Sequence, residues 1–144
     1  MSKYPWMEIA KRKLGIHEIP GPKTEKFIGD CLESVGLPRD DSISWCSAFV
    51  NKILEMAGFK GTGSGMARSW IEWGRELEEE DPIEDWEGCI CVLWREDPDG
   101  PFGHVGFLVG WDDNRVRLLG GNQSDSVSEA WFPIERVLGF RVPE

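Results

Sequence analysis

The chain has 144 residues, of which 16 are Lys or Arg and 26 are Asp or Glu, so its formal net charge is -10. A chain of this length buries roughly two thirds of the surface that its unfolded form exposes, which is enough for one hydrophobic core and predicts one domain over residues 1–144. The acidic balance argues against nucleic acid as a partner, because Lys and Arg supply most of the affinity for a phosphate backbone.

The sequence has no feature typical of membrane insertion or of secretion. No apolar run approaches the about 20 residues that a membrane-spanning helix needs, and the start, Met1 to Trp6, lacks the apolar stretch of a secretory signal. We therefore expect synthesis in the cytoplasm and no insertion into a membrane.

Three amphipathic helices are predicted in the first half of the chain. Apolar residues follow the helical period in three segments: Trp6 to Leu14, Phe27 to Val35 and Trp45 to Ala57. Ser42 or Ser44 is expected to cap the start of the third helix, because a serine hydroxyl can accept from an unpaired N–H of the first turn.

The second half changes to short runs rich in β-branched and aromatic residues, separated by turn sequences. The predicted strands are Cys89 to Trp94, His104 to Trp111, Arg115 to Leu119, Val127 to Phe132 and Val137 to Val142. Helices followed by strands joined through hairpins predict an α+β fold with a sheet of about five antiparallel strands.

The four cysteines, Cys31, Cys46, Cys89 and Cys91, are expected to be free thiols, since a domain with a sizeable core does not need disulfides. Their spacing lacks the paired ligands of a structural zinc site. The acidic turn Asp97 to Gly100 does not match the ligand spacing of a calcium-binding EF-hand loop. The sequence therefore predicts no metal and no cofactor.

Cys46 is the candidate nucleophile. It falls in the first turn of the third predicted helix, where unpaired N–H groups and the helix dipole favour a thiolate. The alternative is a buried core cysteine on the apolar stripe of that helix. Catalysis also requires a base within hydrogen-bonding reach and a group that orients the base.

His104 is the candidate base, since it opens the strand that ends at Trp111. A three-residue hairpin loop after Trp111 would pair Trp111 with Arg115 and place His104 opposite Asn122, at about 5 Å between β-carbons. Asn122 would then orient the imidazole. A bulge at Gly120 or Gly121 would shift the register by one residue and would make Gln123 the partner instead.

Three short strings together resemble one superfamily: Trp45 to Val50, Gly103 to Phe107, and Gly120 to Gln123. They are similar to the papain-like CHAP and NlpC-type cysteine peptidases and amidases, and within these to small single-domain proteins of bacteriophages and bacteria. The resemblance covers nearly the whole chain, from about Trp6 to Pro143. It implies a papain-like fold in which the nucleophile helix packs on the antiparallel sheet.

The resemblance also implies an activity, the cleavage of an amide bond in peptidoglycan. The bond would lie within the stem peptide or between muramic acid and L-alanine. Cys46 would attack the carbonyl carbon, His104 would transfer the proton and Asn122 would orient the ring. The backbone N–H of Cys46 would stabilise the oxyanion, with Ser44 or Trp45 as the second donor. Trp45 departs from the family pattern, in which Asp or Gln commonly precedes the cysteine.

A wall substrate implies action in the periplasm or cell wall after assisted release. The chain would be a phage lysin released through a holin, or an effector injected by a secretion system and opposed by an inhibitor or immunity protein. Two alternatives remain open: a papain-like hydrolase of a protein substrate, and a non-catalytic phage structural or binding module of the same fold.

Overall fold

The computed structural model describes residues 2–144 and confirms the α+β class. Three helices come first: α1 (Pro5–Arg12), α2 (Lys26–Ser34) and α3 (Cys46–Met56). Six strands follow: β1 (Arg75–Glu76), β2 (Ile90–Trp94), β3 (Gly103–Trp111), β4 (Arg115–Gln123), β5 (Ser126–Pro133) and β6 (Val137–Val142). No helix in the described range is long and apolar enough to cross a bilayer.

The start of α3 differs from the expected serine cap. The N-cap residue is Trp45, whose side chain makes no capping hydrogen bond, and its carbonyl accepts from the N–H of Phe49. Ser42 does not cap the helix, because its hydroxyl donates to Asp40. Ser44 does not cap it either, since its hydroxyl accepts from the side chain of Asn122. The two predicted caps are therefore bonded within loops.

All neighbouring strands are antiparallel, in the order β1-β6-β2-β3-β4-β5. The strands from β2 to β5 form the predicted series of hairpins. However, β6 does not continue that series and returns to pair with β2. The two-residue strand β1 was not predicted, because two residues are too few to show the alternation that marks a strand.

The hairpin between β3 and β4 has a longer turn than predicted. Trp111 pairs with Val116 instead of Arg115, because the Asp112 carboxylate accepts from the N–H groups of Asn114 and Arg115 and holds both in the turn. A register shift between Leu108 and Gly110 follows. The two irregularities compensate, so Leu108 with Leu118 and Phe107 with Leu119 pair as predicted.

The main core lies between the helices and one face of the sheet, and a second, smaller core covers the other face. The largest fully buried side chains of the main core include Trp6, Trp45, Trp70 and Phe49. The second core contains Cys89, Cys91, Leu93, Leu108 and Leu118. All four cysteines are free, as expected from the sequence, and all four are buried.

The first turns of α3 lie directly against β4 at Gly121. A Cβ atom added to Gly121 would lie 2.6 Å from the ring of Trp45 and 2.8 Å from Cβ of Phe49. Both neighbours are fully buried, so neither can move aside without disturbing the core. This contact fixes the distance between the start of α3 and the end of β4.

We expect Gly121→Ala to lower the free energy of unfolding by about 1–3 kcal/mol, because the added methyl overpacks the contact with Trp45 and Phe49. The matched control is Gly139→Ala in β6, where the nearest atom to an added Cβ lies 3.5 Å away. Both changes restrict the unfolded chain alike, so urea denaturation of the two variants isolates the packing effect. Equal midpoints would contradict the close packing at Gly121.

Candidate active site

Cys46 is the first residue of α3, and its position is fixed by the residue that follows it. The hydroxyl of Ser47 donates to the carbonyl of Ser64 at 2.7 Å and accepts from the indole N–H of Trp70 at 2.8 Å. Cys46 itself is 3% exposed. The thiol therefore lies in a fixed first helical turn, where the N–H groups favour its ionised form.

The two residues before Cys46 have different surroundings. Trp45 is fully buried, and its indole N–H donates to a carboxylate oxygen of Glu18 at 2.9 Å. Ser44 is exposed, and its hydroxyl interacts with the Cys46 thiol. Of the two candidate donors to an oxyanion, the hydroxyl of Ser44 is beside the nucleophile, whereas the indole of Trp45 is bonded elsewhere.

His104 is buried near the start of β3 and is oriented by Gln123. Nε2 of the imidazole lies 2.8 Å from Oε1 of Gln123. The amide nitrogen of Gln123 donates to the carbonyls of Leu118 and Ser128 at 3.2 and 2.7 Å. These two bonds orient the amide so that its oxygen faces the ring. Nε2 must therefore carry a proton, which it donates to that oxygen. Nδ1 is left to exchange a proton with Cys46.

Asn122 does not occupy the position predicted for it. Gly120 pairs with Ser128 and Gln123 pairs with Ser126, so β4 has one extra residue between these pairs. Asn122 lies in that bulge with a φ of 61°, and its side-chain nitrogen lies 3.3 Å from the hydroxyl of Ser44. The bulge turns Asn122 toward the loop before α3 and makes Gln123, the alternative from the sequence, the partner of His104.

The charges of Cys46 and His104 stabilise each other. Burial raises the pKa of Cys46, but the charge of His104, a hydrogen bond with that ring, the N–H of Val105 and the Ser44 hydroxyl together bring it below the usual thiol value. Burial lowers the pKa of His104, yet the Cys46 thiolate and the bonds to Cys46 and Gln123 raise it above its usual value. Both shifts favour a thiolate beside an imidazolium.

The pKa of each of the other three thiols is shifted in the opposite direction. Burial raises the pKa of Cys31, Cys89 and Cys91, and no cationic ring offsets it. Cys46 is therefore the one thiol of the described chain whose pKa is lowered.

The sequence did not reveal several residues around this pair. Glu18 holds Trp45, Phe132 lies against the ring of His104, and Arg136 lies behind Phe132. The Val105 N–H was also missed, although Val105 directly follows His104. Contacts between distant segments leave no local periodic signal, and only Val105 could have been found from its place in the strand.

No metal centre accompanies the site. Within residues 2–144, no group of three or more His, Cys, Asp or Glu side chains is arranged to hold an ion. An apolar cavity of about 390 Å³ lies along the face of the sheet away from the helices, lined by residues that include Trp86, Leu108 and Phe140. Neither Cys46 nor His104 lines that cavity.

Comparison with known proteins gives a likeness of fold. No family model and no curated protein matches the sequence. The structure is similar to that of an NlpC/P60 family protein from Bacillus cereus ATCC 10987, with a TM-score of 0.55 and 17% identity over 95% of this chain and 38% of that one. NlpC1 from Trichomonas vaginalis is similar with a TM-score of 0.47 and 18% identity over 94% of this chain and 42% of that one.

The chain thus spans well under half the length of either similar structure. At these identities the likeness concerns the fold. The predicted papain-like arrangement, in which a helix begins at the candidate nucleophile and packs on an antiparallel sheet, is confirmed: the chain has the fold of an NlpC/P60 family protein.

Proposed function

We propose that this chain is a thiol hydrolase that cleaves an amide bond of peptidoglycan. The observation that carries the proposal is the continuous chain of interactions from Cys46 through His104 to Gln123, at the start of a helix. An activated thiol, a base and a group that fixes the base are the three parts that acyl transfer by a cysteine requires.

In the proposed reaction the thiolate of Cys46 attacks the amide carbonyl carbon, and the carbonyl π electrons move to the oxygen. The imidazolium of His104 gives its proton to the leaving nitrogen as the C–N bond breaks, which leaves a thioester. His104 then takes a proton from water, which attacks the thioester and releases the carboxylate product and the thiolate. Nε2 keeps its proton and its hydrogen bond to Gln123 throughout, so that the proton transfers take place at Nδ1.

The oxyanion would form at the start of α3, where the N–H of Cys46 points out of the helix. The hydroxyl of Ser44 is the second donor in this proposal, because it lies beside the thiol and is exposed. Asn122 then has a supporting part, since its amide holds the Ser44 hydroxyl. One such donor is worth on the order of a hundredfold in rate.

The choice of peptidoglycan as substrate depends on the resemblance of three sequence segments to CHAP and NlpC-type wall hydrolases and on the shared NlpC/P60 fold. The bond is one of the stem peptide or the bond between muramic acid and L-alanine. On this proposal the enzyme acts in the periplasm or cell wall, as a phage lysin that depends on a holin or as an exported effector with a cognate inhibitor.

The first test is mass spectrometry of the fragments that the protein releases from purified peptidoglycan. Wild type should produce new peptide or sugar-linked termini, and Cys46→Ala should produce none, because the nucleophile is lost. Cys31→Ala is the matched control, since it removes another buried thiol that has no histidine beside it.

Release that persists in Cys46→Ala would overturn the thiol mechanism. A lack of release from several wall types would reject the peptidoglycan proposal. Cleavage within a panel of proteins would then indicate a protein substrate, and inactivity toward both would indicate a non-catalytic module.

The second test is the pH dependence of alkylation by iodoacetamide, followed residue by residue. Because the pKa of Cys46 is lowered, its alkylation should reach a plateau below the usual thiol pKa of 9.0 and should decline as acid protonates the thiolate. In His104→Phe the midpoint should move upward, since burial remains and the cation is gone. Modification of Cys31 at the same rate as Cys46 would argue against an activated thiol.

The third test compares substitutions at Gln123 and Asn122. Gln123→Leu and Gln123→Glu both remove the two amide donors, but only Glu keeps an oxygen that accepts from Nε2 of His104. We expect Gln123→Leu to lose about 100-fold in turnover. Gln123→Glu should lose less turnover because it keeps the acceptor, although its second oxygen faces the carbonyls of Leu118 and Ser128 and lowers stability. Asn122→Gly, which suits the positive φ, should lose less than Gln123→Leu.

Thermal unfolding of each variant separates lost orientation from lost folding. If Asn122→Gly lost more turnover than Gln123→Leu, Asn122 would be the orienting group and the hydrogen bond to Gln123 would be structural.

A further inference from the structure

The ring of His104 is covered by a stack of side chains from two other parts of the chain. The Phe132 ring of β5 lies 5.1 Å from the imidazole, centroid to centroid, at an interplanar angle of 35°. The Arg136 guanidinium lies 5.6 Å from the centroid of Phe132 and 5.9 Å from that of Trp94. Phe132 therefore lies against both the imidazole of His104 and a cation.

The cation is held in place by the backbone of β2. Nε of Arg136 donates to the carbonyl of Trp94 at 3.0 Å, and the indole of Trp94 donates back to the carbonyl of Glu135 at 3.3 Å. Within residues 2–144, Arg136 lies within ion-pair distance of no carboxylate. Four other arginines of the described chain lie within ion-pair distance of carboxylates, whereas Arg136 is bonded to a neutral carbonyl.

We propose that Phe132 and Arg136 are positioning residues for His104: the Phe132 ring covers a face of the imidazole and limits its rotation away from Gln123, and Arg136 places a positive charge beside this pair of rings. This inference depends on the proposed function for its purpose, because His104 must release a proton to a leaving amine. The inference itself concerns only the orientation and the protonation of His104.

The charges around His104 give the direction of the effect. The Cys46 thiolate on α3 and the hydrogen bonds to Cys46 and to uncharged Gln123 on β4 favour the imidazolium. Burial and the positive charge of Arg136 after β5 oppose it. Without Arg136 the imidazolium would persist to higher pH, and a base that stays protonated cannot activate water for the second half of the reaction.

The test is an NMR titration of the imidazole rings in the full chain, which has only two histidines. In Arg136→Met, which keeps the length of the side chain without its charge, the midpoint of His104 should move upward. Arg136→Lys should restore the wild-type midpoint. The matched control is Arg115→Met, since Arg115 lies 4.3 Å from the ring of Trp131 in a similar stack.

Phe132→Leu removes the aromatic ring that lies against the imidazole. In an assay with a substrate of the hydrolase, kcat should therefore fall while KM changes little. A His104 midpoint that is unchanged in Arg136→Met, or moved equally in Arg115→Met, would overturn the inference. Failure of the protein to cleave peptidoglycan would overturn the proposed function and leave the titration result intact.

Discussion

Helix α3 meets the sheet closely at Gly121, where the Trp45 ring and Cβ of Phe49 occupy the space of a side chain. Three features depend on it. The contact presses the first turn of α3, with Cys46 at its start, onto the end of β4. It lies at the beginning of the bulge that brings Gln123 to His104. It also buries Trp45 so that the indole reaches Glu18 of the neighbouring loop. A larger residue at Gly121 would push the first turn of α3 away from β4 and so disturb all three features.

The polar groups of the site are paired although they are buried. Gln123 uses its oxygen for His104 and its nitrogen for two carbonyls, and Ser47 bridges Ser64 and Trp70. An unpaired polar group in such surroundings would cost about 1–3 kcal/mol. Saturation of these bonds therefore fixes one arrangement of the imidazole and leaves Nδ1 and the thiol free for the proposed reaction. Such a site is organised before substrate arrives.

The parts of the fold that local patterns determine could be predicted from the sequence. The helical period located α1 to α3, and the β-rich runs located five of the six strands to within a few residues. Cys46 and His104 stood out because a helix start and a strand start each have local signals. The choice between Asn122 and Gln123 required the backbone geometry of a single bulge. Two adjacent glycines indicate that a bulge is possible there, but not that one forms.

Contacts across the sheet could not be predicted in this way. The register places Phe132 opposite Val116, near the far hairpin, yet the centroid of its ring lies 5.1 Å from that of His104. The pairing of β6 with β2 likewise depends on how the chain returns after β5. The predicted serine cap was wrong because the hydroxyls of Ser42 and Ser44 are bonded to Asp40 and Asn122 instead.

The bulge in β4 affects how this chain can be aligned with proteins of the same fold. The partner of the imidazole is selected by the number of residues between Gly120 and the strand end, and the longer glutamine side chain suits a position one residue further along. An alignment by residue type alone would assign the predicted orienting role to Asn122 and miss Gln123, whose side-chain oxygen bonds the ring. Insertions and deletions at this point, more than substitutions, would therefore change which residue completes the site.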